Sequence, residues 1–193
     1  RSSFGAVLAY AVATQGAFAD LTAQDVWSDW RSYMTGLGYE VSGSEAMSGN
    51  ALTVTDFALR MAMPEESGTV SFGAPQMVFT ENGDGTVSLT FPETLPLQFE
   101  VNEDGNNVVG EIGLTQTDQV LVISGSPQDM TYAYSAAALQ IALNSLTVDG
   151  EAIPPEVGHL TVDMTDISSR TRMLIGEMRD YTQTMTAKTL TYD

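Results

Sequence analysis

Cysteine is absent from the sequence, and histidine and lysine occur once each, as His159 and Lys188. Without cysteine there is no disulfide, no thiolate metal site, no cysteine nucleophile and no lipid-modified cysteine. A single histidine excludes a multi-histidine metal centre, and its place between Gly158 and Leu160 suits an exposed or hydrogen-bonded structural role. Basic residues of any kind are scarce: 7 stand against 25 acidic ones, a net charge of −18. That charge repels phosphate backbones over a Debye length of roughly 8 Å, so nucleic acid is not an expected partner. The motifs G-x-S-x-G, G-x-x-x-x-G-K and G-x-G-x-x-G are also missing, which removes the usual footprints of a serine hydrolase elbow and of nucleotide cofactors. No cofactor is expected. Nor does any apolar run reach the roughly 18 to 20 residues of a spanning helix, so no transmembrane segment is expected.

What remains is 193 residues, 43% of them hydrophobic, enough for one domain with a real core. The first 19 residues carry the order of a secretory signal peptide: Arg1, a short apolar run from Phe4 to Ala13, then Ala17-Phe18-Ala19 as an A-x-A cleavage site. Cleavage is expected after Ala19. Because Asp20 and not cysteine follows, the product is expected in the periplasm or secreted, with residues 20–193 forming one β-rich domain.

Residues 22–37, TAQDVWSDWRSYMTGL, predict the single helix. Thr22 and Asp25 supply a capping hydroxyl and a carboxylate in the positive first turn. Val26, Trp27, Trp30, Met34 and Leu37 share one face, and Gly36 and Gly38 stop the helix. From Tyr39 the apolar period becomes two. In ALTVTDFALRMAMP the phase slips once, which predicts a β-bulge near Asp56. Further alternating segments run through Val70–Ala74, Met77–Phe79, Val87–Phe91, Leu95–Val101, Ile112–Leu114, Val120–Ile123, Met130–Tyr134, Leu139–Leu143, Leu160–Met164 and Leu190–Tyr192.

Between the strands stand ENGDG, NEDGNN and VDGE. Counted from Glu81, ENGDG puts glycine at positions 3 and 5 of a calcium loop and Pro92 at 12, so the EF-hand reading fails. Asn-Gly and Asp-Gly are instead hairpin chemistry. Antiparallel strands joined by short turns make a meander whose dry face must be covered. The expected fold is therefore mainly β, an N-terminal helix packed on a curled antiparallel β-meander that is barrel-like or folded over. AKTLTYD ends within an apparent strand, so the native chain is expected to extend further.

Candidate chemistry is thin. Arg170, Arg172 and Arg179 cluster and are expected to balance Asp166, Glu177 and Asp180. Carboxylates sit mostly in turns, poorly placed for the desolvation an acid catalyst needs. Methionine is the more informative residue. Met61, Met63, Met77, Met130 and Met164 fall on dry faces, where thioethers adapt to irregular contents. The expected ligand-binding residues are Met61, Met63, Phe72, Met77, Tyr132 and Tyr134, lining an apolar groove for a lipid or other apolar small molecule. No catalytic or metal-binding residue is assigned.

AFADLTAQDVWSDWRSYMTGLGYEV, LTVTDFALRMAMPEESGTV, FTENGDGTVSLTFP and SGSPQDMTYAYSA together resemble an exported bacterial family, domain of unknown function 2125, found mainly in alphaproteobacteria. The resemblance implies export and β-rich architecture and carries no activity over. Expected, then, is a non-enzymatic envelope protein with a binding or structural role. The alternatives are a hydrolase using acidic residues, or an assembly module whose terminal strand pairs with another chain.

Overall fold

The computed structural model describes residues 20–63, 68–103 and 105–193; the expected signal peptide lies outside them. One helix, α1 (Ala23–Gly36), precedes twelve strands: β1 (Glu40–Ser48), β2 (Ala51–Met63), β3 (Gly68–Glu81), β4 (Val87–Thr90), β5 (Thr94–Glu103), β6 (Asn106–Thr117), β7 (Val120–Ser126), β8 (Asp129–Val148), β9 (Glu151–Ala152), β10 (Thr161–Ile175), β11 (Arg179–Thr186) and β12 (Thr189–Tyr192). The mainly β expectation holds, with one helix packed on an antiparallel sheet.

Twelve strands trace only eight long paths. β2 pairs with β3 along nearly its whole length, so β4 and β5 must share the other edge of β3, at 78–81 and 69–72. In the same way β6 and β7 share one edge of β8, and β11 and β12 share one edge of β10. Every path is antiparallel to the one before it, a meander joined by hairpins. Turn chemistry explains the hairpins: Asp149 and Gly150 both take positive φ, as do Gly83 and Gly85 in ENGDG, where Asp84 accepts from the hydroxyl and N–H of Thr86 at 2.6 and 3.1 Å. Segments that the sequence separates at Pro75 and between Tyr134 and Leu139 are continuous strands, because a bulge changes phase without ending the ladder.

These phase slips lie on one line. Pairing is interrupted at Gly43 in β1, at Asp56 opposite Pro75, at 91–93, at 118–119, at Asp166 opposite Ala137 and at 187–188, while one further register shift, at Glu111/Ile112 between β6 and β8, lies off this line. Asp56, Asp118 and Asp166 hold positive φ near 50°, the left-handed conformation that aspartate tolerates better than most residues. The line is a crease dividing the sheet into a near and a far half. On it β3, β4, β7, β8, β6 and β5 close a partial ring.

The helix covers the near half. Thr22 and Asp25 form a reciprocal capping box, and Leu37 caps the C-terminus before Gly38 at φ 92°. Val26 and Trp27 are buried against Leu52, Val54, Phe57, Met77, Phe79, Val87, Leu89, Ile123 and Met130. Trp27 meets Phe57 edge-on at 5.8 Å, and Trp30 meets Phe79 edge-on at 5.9 Å and stacks on Tyr132 at 6.3 Å. Each such contact contributes roughly 0.5–1.5 kcal/mol beyond burial.

Polar contacts span the sheet from rim to rim. Glu81 accepts from the Ala23 N–H at 2.9 Å, Arg31 Nη1 donates to Glu45 on β1 at 2.9 Å, and Arg179 on β11 forks onto Asp29, with Nη1 to Oδ2 at 2.9 Å. The Arg179 guanidinium also lies 4.5 Å over the Tyr33 ring. One helix reaching both β1 and β11 requires the near half to curl around it. The partners of the basic cluster differ from expectation: Arg179 takes Asp29, Arg172 takes Asp129, and Asp166 goes to Lys188 at 3.3 Å. Cross-strand neighbours, not sequence neighbours, set these pairs.

Asp29–Arg179 is mostly shielded, so its loss should register in stability. Arg179→Met is expected to lower unfolding free energy by about 2 kcal/mol in urea denaturation. In a double-mutant cycle with Asp29→Asn the coupling should be about 1–2 kcal/mol; additive effects would rule out this pair as the clasp.

Candidate functional site

Where the C-terminal half of the helix crosses the crease, packing is incomplete. A cavity of ≈ 190 Å³ lies there, bounded by Trp27, Trp30, Arg31 and Met34 from the helix, Val41 from β1, Phe57 and Leu59 from β2, Phe72, Ala74 and Met77 from β3, and Phe91 and Leu95 beyond. Trp27, Phe57, Ala74, Met77 and Leu95 are buried and form the floor. Leu59, Phe72, Phe91 and Met34 are half-buried and lie toward the mouth. Arg31 is the one charged side chain among them. The crease leaves this gap because the paired ladders of β3 stop between 72 and 78, where Ala74 supplies little volume.

From the mouth the dry face continues over the far half. Val41, Leu59, Phe72, Leu97, Ile112 and Leu143 are register partners in turn, an apolar row across six strands. A second row carries Met61, Val70, Phe99, Gly110 and Leu146. All but Gly110 in these rows are half-buried, not buried. The Phe99 ring lies on Gly110, where an added Cβ would come within 2.2 Å of it. At about 4.8 Å between strands, the first row is about 24 Å wide. An apolar face of that extent is more than scattered surface residues provide.

Phe72 and Met77, expected from sequence to bind an apolar ligand, line the cavity. Met61 and Met63 lie farther along the same face, half-buried, with the Met63 methyl over Gly68. Tyr132 and Tyr134 are not cavity residues. Tyr132 accepts from Trp30 Nε1 at 3.1 Å and donates to the Met130 sulfur at 3.3 Å, anchoring the helix. Burial pushes its hydroxyl up to about 12. Tyr134 donates to Gln116 Oε1 at 2.7 Å, and burial raises its pKa also. Ala74 and Phe91 are lining residues that sequence reading does not single out; alternation gives no reason to mark an alanine whose importance is the space it leaves.

Two polar features border this region. Gln119 Nε2 donates to the carbonyl of Phe91 at 2.7 Å, fixing the chain at the cavity wall. Trp27 Nε1 is buried with no acceptor, which costs on the order of 1–3 kcal/mol.

Acidic residues approach one another at the opposite end of the near half, where Asp20, Asp84 and Asp129 border a hollow of ≈ 360 Å³. Hydrogen bonds from Thr86 hold the Asp84 carboxyl below its ordinary value, and the Arg172 fork, at 2.8 and 2.6 Å, does the same for Asp129. A general acid needs the opposite shift. Among the described residues no three acidic or histidine side chains gather in a metal-holding group, and His159 lies at the surface, 3.7 Å from Asp193.

Tyr132 provides a check on the helix dock. Its pKa is raised in the folded state, so the associated stability is present below about pH 10 and is lost as pH rises toward 12. In a spectrophotometric titration it should ionise last, together with a change in tryptophan fluorescence that Tyr132→Phe removes. Ionisation with the bulk tyrosines would contradict the burial. The chain matches no family model, no curated protein and no solved structure.

Proposed function

We propose that this protein is a non-enzymatic binder of an apolar ligand, a lipid or similar molecule, held on the far half of the sheet with its end in the cavity beneath the helix. The observation that carries this reading is the continuity of the apolar surface: a cavity with one charged lining residue adjoins apolar rows that stay half-buried, with the 153–158 turn reaching only their Leu146 end. A purely structural sheet would bury such rows against a second layer. Burying a half-exposed apolar side chain in a ligand contact contributes on the order of 1 kcal/mol, so a handful of contacts supports useful affinity.

Export belongs to the same proposal. The Arg1–Ala19 pattern and the similarity to domain of unknown function 2125 support export, and Asp20 in place of a cysteine after Ala19 supports a periplasmic or secreted product without a lipid-modified cysteine. An apolar carrier in an aqueous compartment needs a polar exterior, and the charge of −18 supplies it.

A second reading rests on a separate observation. β11 and β12 form an edge on which Tyr181, Met185, Leu190 and Tyr192 are 71, 50, 60 and 82% exposed. An unprotected edge of this kind is a template for strand addition, which favours an assembly role over acid-based hydrolysis.

Residues 20–193, purified gently from a bacterial periplasm, are expected to carry a stoichiometric apolar adduct in native mass spectrometry. Met61→Asp and Phe72→Asp should each lose it while keeping the wild-type circular dichroism spectrum. A clean unliganded mass from the wild type would overturn the reading.

A further inference from the structure

The dimensions of the site say more about what occupies it. The cavity, ≈ 190 Å³, is far too narrow for an α-helix of about 10 Å diameter. It is also below the roughly 300 Å³ at which pockets take whole drug-sized ligands. A cavity of about 150 Å³ lined by apolar side chains stays dry and holds benzene, so this one accommodates a tip of about six to eight carbons. Its buried lining includes Trp27, Phe57 and Ala74, and on the side of Leu59 and Phe72 it adjoins the apolar rows of the far half. Along β2 the apolar positions run from Phe57 to Met63, six residue steps or about 20 Å. Half of a bilayer core of about 30 Å, the depth filled by one acyl chain, is about 15 Å. The path is therefore long enough to hold one such extended chain in full, with about 5 Å to spare.

Resting on the apolar-ligand reading above, we propose that the occupant is a single extended acyl chain that enters methyl end first, with its terminal carbons against Trp27 and Trp30 and its headgroup toward Met63, and that Ala74 sets how long a chain fits. Orientation follows from desolvation. The polar groups at the inner end offer little: Arg31 Nη1 is engaged by Glu45 and the unpaired Trp27 Nε1 is buried away from the surface, so a headgroup pushed there would lose its water with little in exchange. The outer end leaves the headgroup in solvent. Given the net charge of −18, a zwitterionic or neutral headgroup is favoured over an anionic one.

The only two tryptophans of the protein stand at the inner end, so their fluorescence reports what reaches it. Lysophosphatidylcholines brominated near the chain terminus should quench emission several-fold more than isomers brominated near the glycerol. Across unlabelled chains of increasing length, affinity should rise and then level off, and Ala74→Leu, which fills the floor, should move that plateau to shorter chains with unchanged circular dichroism. Phe91→Leu, which widens the wall instead, gives a second variant should Ala74→Leu fail to fold, and should move the plateau to longer chains. Binding with equal quenching by both isomers, or an unmoved plateau in the variant, would overturn the orientation and ruler while leaving the apolar-ligand reading standing. No quenching and no binding by any chain would remove both.

Discussion

Docking of one amphipathic helix onto half of a creased sheet is the constraint on which the rest of this structure depends. Trp27 and Trp30 fill the near half through ring contacts with Phe57, Phe79 and Tyr132, and the Asp29–Arg179 pair ties the same helix to the far rim. A 14-residue helix is about 21 Å long and cannot cover strands of up to 20 residues, which extend about 65 Å. So the sheet is buried where the helix lies and half-open where it does not. The proposed site is what a short cover leaves on a long sheet.

The crease makes that division sharp. A one-residue slip in a strand sends every following side chain to the opposite face unless neighbouring strands slip with it. Here the slips at Gly43, Asp56, 118–119 and Asp166 align across the sheet, so apolar residues keep to one face on both sides of the line. The bend produced by such bulges lets the near half wrap the helix while the far half keeps its own curvature. The cavity lies on this line because interrupted ladders, a small Ala74 and the tapering end of the helix coincide there.

Charge follows the same division of labour. Arg172 and Arg179, two members of a short basic cluster in an acidic sequence, reach acids more than 40 residues away and so serve the tertiary structure. Most of the other carboxylates are left to hairpin tips and exposed strand positions. Asp84 and Asp129 are lowered, not raised, in pKa, and their hydrogen bonds read as turn and cross-strand fasteners.

Much of this was legible in the sequence because the signals are local. The cap at Thr22, the end of the helix near Gly36, the bulge at Asp56, the turn at ENGDG and the dry-face placement of Phe72 and Met77 each follow from a few adjacent residues. Tyr132 and Tyr134 show the limit. Their alternation marked the dry face correctly, but only the helix position decides that Tyr132 anchors Trp30 and does not line the groove. The sequence by itself determined the elements and their faces, since period and turn propensity act over short range. Which half of the sheet is covered, where the cavity falls and which acid meets Arg179 were decided by the tertiary structure alone, because each depends on side chains as much as 150 residues apart meeting in one packed volume.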